Sequence, residues 1–214
     1  MSSDVAGWPK EAYDLLRRLN GDLSPEVLQT HREEHDRLVR RPMQCLCDAL
    51  GVVGNYGRAW PSARSSHLAS WQRTGALVWV ARRVHLTAVF DLEGLHVEGG
   101  WTSNDTDQLW RYRAVVDDDH TGGELVEIVA DFDKAGYTLT DDRLTRMPRG
   151  YSQDHSRSEL IRRRTFLVRR DLGTGPWLHS PGVTDHVRAA FGGLLPLMSW
   201  FDKYVATAGS AAPS

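Results

Sequence analysis

An α+β fold is what this sequence predicts, on three observations. Apolar residues recur at helical spacing near both ends of the chain, a run of period-two alternation occupies the middle, and Glu93-Gly94 supplies a tight turn inside that run. Helices flanking an antiparallel β-meander satisfy all three. At 214 residues the chain suits one domain that buries roughly 70% of its unfolded surface. Residues 1–208 are expected to form that domain, and 209–214 a frayed tail.

The first helix is expected over Glu11 to Leu19, where Tyr13, Leu15, Leu16 and Leu19 share a face and Asn20-Gly21 stops it. Ser24-Pro25 caps a second helix with proline at its first position. It should run to about Arg40, with Pro42 perturbing it and Met43 to Leu50 starting another. Gly51 to Arg73 has no sustained period and reads as a long loop. Strands follow at Leu77 to Ala81 and Leu86 to Leu92. A hairpin turning at Glu93-Gly94 would set Asp91, His96 and Glu98 on the sheet face opposite the core. Helices are then expected over Thr106 to Val116, Gly123 to Lys134, Ser156 to Arg164, Asp185 to Phe191 and Leu195 to Ala206, with a short strand at Tyr137 to Leu139.

Composition narrows the function classes. No apolar stretch reaches the ~20 residues of a membrane span, and the opening residues lack the basic start and apolar core of a signal peptide. A cytoplasmic protein without a membrane partner is expected. The net charge of -2 and a pI near 6.5 make nucleic acid an unlikely partner. Charge is nevertheless segregated: nine arginines lie between Arg143 and Arg170, and nine acidic residues between Val115 and Asp142. Pairing between these neighbouring blocks is the expected outcome. Cys45 and Cys47 are two apart, too close for an easy disulfide and too few for a structural zinc site.

Three constellations could carry chemistry. His31-Arg32-Glu33-Glu34-His35 fits the H-x-x-E-H order of inverted zinc peptidases, with His31 and His35 as ligands and Glu34 as base. On a continuous helix, at about 100° per residue, both imidazoles fall on the apolar face with Leu28 and Leu38. No third ligand has a diagnostic spacing. Asp91, His96 and Glu98 form a second set, suited to acid–base work or metal binding. The third is the segment Pro148 to Arg162, where a glycine turn, Tyr151, His155 and a helix start join clustered arginines in the manner of an anion cradle. No P-loop, dinucleotide glycine pattern or nucleophile elbow is present.

The motifs Pro148-Arg149-Gly150-Tyr151, Asp154-His155, Glu159-Leu160-Ile161-Arg162 and Leu195-Pro196-Leu197 with Trp200 resemble the bacterial domain-of-unknown-function family 2461 in its actinobacterial form. Gly94 to Trp101, Gln108-Leu109, Arg111 to Val115 and Gly122 to Leu125 keep that family's order, and Thr30-His31-Arg32 to Pro42 resembles its N-terminal helix. The resemblance implies a single α+β domain with no established catalytic activity. It also weighs against zinc, because the family usually has a tyrosine or similar residue near the His35 position. The long loop departs from the family's run of the form R-D-x-R-F-S-x-D-K-x-P-Y-K, leaving Arg58, Arg64 and Arg73 as its cations.

The functional expectation is an anionic small molecule held between the long loop, Arg113 and the Arg149 to Arg162 segment. Arg58, Arg64, Arg113, Arg149 and Arg162 would neutralise it, and Trp60, Trp71 and Tyr151 would stack or donate. His155, with Tyr151, would carry any proton transfer near neutral pH. Whether the protein is an enzyme stays open, and no cofactor follows from the sequence. A metal-dependent hydrolase at His31 and His35, and a non-catalytic module for an acidic partner, are the alternatives.

Overall fold

The structure, a computed structural model, describes residues 7–62, 69–102 and 105–206, without the side chains of Ala69 and Ser70. Arg64 and the expected tail at 209–214 lie outside the described residues. The fold is α+β, with six strands in the order β1-β2-β3-β4-β6-β5 and antiparallel pairing. No helix among the described residues is long and apolar enough to cross a membrane. The chain divides into two compact units. One comprises Met1–Val78, Thr87–Val97 and Asp171–Gly192, and the other Trp79–Leu86, Glu98–Arg170 and Gly193–Ser214.

In the first unit, α1 (Glu11–Gly21) buries Leu15, Leu16 and Leu19 as the spacing predicts, with Ala12 buried beside them and Tyr13 half-buried. Trp8 stacks on Phe90 with ring centroids 4.6 Å apart, and its indole N–H donates to the Val39 carbonyl at 3.2 Å. The expected second helix is broken once and widened once. α2 (Pro25–Thr30) ends at His31, whose φ of -96° and ψ of 7° depart from helix, and α3 (Arg32–His35) begins directly after it. A π-helical turn over Asp36–Arg40 then leads into α4 (Arg41–Leu50). Pro42 explains the widening, since it has no N–H and its ring would clash with the carbonyl four residues back. An Arg18–Glu34 ion pair at 2.8 Å ties α1 to α3.

The long loop is less irregular than expected. It contains a bridge between Val52 and Arg58, the short strand β1 (Trp60–Ser62) and the four-residue helix α5 (Ala69–Gln72). β1 pairs with β2 (Thr74–Ala81), Trp60 standing opposite Leu77. β3 (Val84–Asp91) and β4 (Gly94–Thr102) leave Leu92-Glu93 as the turn, one residue earlier than expected, and Asp91 Oδ1 accepts from the Glu93 N–H at 2.9 Å. Gly94 belongs to the strand, where its φ of +111° and a virtual Cβ only 2.5 Å from the Gly173 carbonyl exclude a side chain.

The sheet face expected to be open is not. His85, Thr87 and His96 are buried, as are the alternating apolar positions of the same strands, so the central strands are covered on both faces. His96 Nδ1 lies 3.9 Å from Asp91, and Glu98 lies 3.9 Å from Arg169.

In the second unit, α6 (Thr106–Asp117) and α7 (Asp119–Lys134) are joined by Asp118, whose carboxylate accepts from the His120 and Thr121 N–H groups. That cap starts α7 four residues ahead of the expected Gly123. β5 (Thr138–Leu139) is the expected short strand and pairs with β6 (Thr165–Gly173), which has no counterpart in the sequence reading. The helix expected over Ser156 to Arg164 shrinks to α8 (Ser158–Ile161). The two expected C-terminal helices are one, α9 (Val183–Tyr204), running through Pro196. Pro196 and Gly192, four residues before it, are both exposed, so water can satisfy the carbonyl that loses its partner. Within this unit Trp101 stacks on Tyr112 at 5.0 Å, and Phe166 meets Phe201 edge-on at 5.4 Å.

Candidate functional site

In the expected anion cradle the guanidinium groups of Arg157 and Arg162 are already engaged. Arg157 donates to the Val116 carbonyl at 2.7 Å, the Asp117 carbonyl at 2.7 Å and Asp119 Oδ1 at 2.9 Å, satisfying the end of α6. His155 lies 3.1 Å from Asp117 through Nε2, while its Nδ1 accepts from the Arg157 N–H at 3.0 Å. Both ring nitrogens are therefore occupied. Arg162 pairs with Glu159 and reaches the Thr145 carbonyl at 3.4 Å; Arg143 binds Asp141 and Glu159, and Arg164 binds Asp142. The acidic and basic blocks meet each other, as their opposite charge suggests.

Arg113 is buried and donates through Nε to the Ile161 carbonyl at 3.3 Å. Burial lowers its pKa, with the neighbouring Tyr151 and Tyr112 hydroxyls acting in the opposite direction. Tyr151 is half-buried, and burial, followed by the Asp117 carboxylate, raises its pKa. Arg149 is exposed with no ion-pair partner among the described residues. Arg113, Tyr151, His155 and Arg162 belong to the second unit, whereas Arg58, Trp60 and Trp71 belong to the first. Arg58 is exposed, and Trp60 keeps 61% of its surface open on the edge strand.

The first unit holds a different cationic constellation. A cleft of about 970 Å³ is walled by α2, α3, the π turn and the start of α4 on one side, and by Pro61, Ser62, Trp71, Arg73 and Thr74 on the other. Among the described residues Arg32, Arg40, Arg41 and Arg73 line it, with Asp36 as the one carboxylate of the lining. Asp36 is shared, lying 3.4 Å from Arg40 and 3.2 Å from Arg41, so it cannot neutralise both. Arg32, Asp36 and Arg40 reach this wall because their four-residue spacing keeps them on one helical face. Pro42 matters as well, since the π turn that it imposes brings Arg41 round beside Asp36.

His35 lines the same cleft and is 3% exposed. Its ring packs on Trp71 at 4.6 Å, tilted by 45°, and hydrogen-bonds the Trp71 main chain. Burial, with a smaller push from Arg40, drives its pKa down to about 4, so the imidazole is neutral at pH 7. Nε2 has no hydrogen-bond partner among the described residues.

The zinc-like motif comes apart at the break in the helix. His31 is half-buried, and its Nδ1 sits 3.0 Å from Glu34 Oε2, while His35 turns to Trp71. Among the described residues no group of three His, Cys, Asp or Glu side chains could hold a metal ion.

A family model described as a conserved hypothetical protein (DUF2461) matches residues 70–200. This chain belongs to the DUF2461 family. No curated protein and no solved structure matches it. The DUF2461 match takes in Trp71, Arg73 and Thr74 of the cleft, while the helical wall from Leu23 to Gln44 precedes it. Of the described ligand candidates from the sequence, Trp71 alone lines the cleft, together with Arg73, a cation of the altered loop, and His35, a metal-ligand candidate.

Proposed function

We propose that this protein binds an anionic small molecule in the cleft lined by Arg32, Arg40, Arg41 and Arg73, and does so in the cytoplasm. One observation carries the reading: among the described residues, Arg32, Arg40 and Arg41 line one wall of a cleft of about 970 Å³ with Asp36 as the carboxylate in its lining, and Arg73 stands on the other wall. Like charges gathered around a concavity repel each other and attract a counter-ion, and guanidinium forks suit carboxylate and phosphate oxygens. The volume falls in the range typical of small-molecule sites. Trp71 offers an apolar wall, and the Arg157 guanidinium is taken up by the α6–α7 corner.

Titration calorimetry with pyrophosphate at low ionic strength tests this. An Arg32→Glu/Arg41→Glu variant should lose at least ~10-fold in affinity, the equivalent of about 1.4 kcal/mol, while Arg149→Glu should bind as the parent does. The reverse pattern would return the site to the Arg149 to Arg162 segment and end the proposal.

A further inference from the structure

The chemistry of the ligand can be narrowed by His35; this rests on the anion-binding reading above. A buried nitrogen without a partner calls for an explanation, since nearly all such groups in folded proteins are paired. His35 is 3% exposed, and its Nε2 has neither water access nor a partner among the described residues. The other ring nitrogen is spent on the Trp71 main chain. In a neutral imidazole that donates from one nitrogen, the second presents a lone pair. A carboxylate or an unprotonated phosphate oxygen offers only acceptors to it, and lone pair would face lone pair. A cationic donor would be repelled by the four arginines of the cleft. What fits Nε2 is an uncharged N–H or O–H donor on a molecule whose charge lies elsewhere and is negative.

Against this imidazole packs the half-exposed Trp71 indole, with ring centroids 4.6 Å apart. We propose that the anion taken by this cleft carries a flat heteroaromatic ring with an N–H donor, as a nucleoside monophosphate does. The donor meets His35 Nε2, the ring packs on Trp71, and the phosphate lies among Arg32, Arg40 and Arg41. Because Nε2 is closed to water, the packing around His35, Trp71 included, has to shift to admit the donor, so binding changes the environment of that tryptophan.

The test compares AMP, GMP, CMP and UMP with ribose 5-phosphate and inorganic phosphate by calorimetry on the intact chain. At least one nucleotide should bind about tenfold or more tightly than ribose 5-phosphate, the margin expected of one recovered hydrogen bond plus ring contact. It should also change tryptophan fluorescence in a way that Trp71→Phe removes. His35→Phe keeps a ring against Trp71 but offers no acceptor, so it should erase the margin while inorganic phosphate binds as before. Trp71→Leu is a second arm, independent of the buried position, and should shrink the margin too. If phosphate and ribose 5-phosphate bind but no nucleotide exceeds them, or if His35→Phe folds and retains the margin, the ring and its donor are overturned and the anion site stands. If none of the six compounds binds, the anion site falls with them.

Discussion

Acidification should destabilise this protein through His35. The imidazole titrates at 6.5 in an unfolded chain and at about 4 in the folded one, because burial opposes its charged form, reinforced by Arg40 and partly offset by Asp36 and the Trp71 main chain. Between these values the unfolded chain takes up a proton that the folded chain refuses. Stability is therefore full above pH 6.5 and falls as the pH drops toward 4. At pH 5 the loss works out at about 2 kcal/mol, rising to about 3 kcal/mol near pH 4. Urea unfolding at pH 7 and pH 5, for the parent and His35→Phe, isolates this contribution, since carboxylate effects are common to both. The parent should lose about 2 kcal/mol more than the variant between the two pH values. Equal losses, within about 0.5 kcal/mol, would refute the burial of a neutral imidazole at this position.

Other consequences are local to the second unit. Arg157→Ala removes the donors to the Val116 and Asp117 carbonyls, while its link to the fully exposed Asp119 counts for little. The cost should be about 2 kcal/mol, seen in calorimetry as a melting temperature lower by roughly 4–8 °C; an unchanged melting point would exclude the role of this guanidinium in holding the corner. Gly100→Ala should be worse. Its Cβ would stand 1.9 Å from the Phe166 carbonyl at a φ of +149°, so a loss of about 3 kcal/mol or more is expected on chemical unfolding. Tyr112→Phe leaves the Leu160 carbonyl without the buried hydroxyl that donates to it at 2.8 Å, and should cost about 1–2 kcal/mol by the same measurement.

The parts of the fold that were legible in the sequence are those governed by local periodicity. α1 and α6 follow their apolar stripes, and the β3–β4 hairpin follows its alternation to within one residue of its turn. β6 was missed although Phe166 and Val168 alternate with partly exposed neighbours, because Arg162 to Arg164 and Arg169-Arg170 made the stretch read as a charged helix and its flank. The break at His31 was equally invisible. A helical wheel assumes an unbroken helix, so it set His31 beside His35 in the core, whereas His31 turns to Glu34. Opposite charge in adjacent blocks signalled that they would pair, as Arg143, Arg157 and Arg164 do with Asp141, Asp119 and Asp142, yet spacing does not define the individual partners, and Arg162 turns instead to Glu159. The cleft had one local sign, the four-residue spacing of Arg32, Asp36 and Arg40. Its opposite wall comes from Pro61, Ser62, Trp71, Arg73 and Thr74, roughly thirty to forty residues further along, and only folding brings that wall to the helix.

A crystal of the protein grown with pyrophosphate would locate the anion directly. Density bridging Arg32 to Arg40 or Arg41 within the cleft beside Trp71 is the predicted result. An ordered anion at Arg149 or Tyr151 with an empty cleft would contradict it.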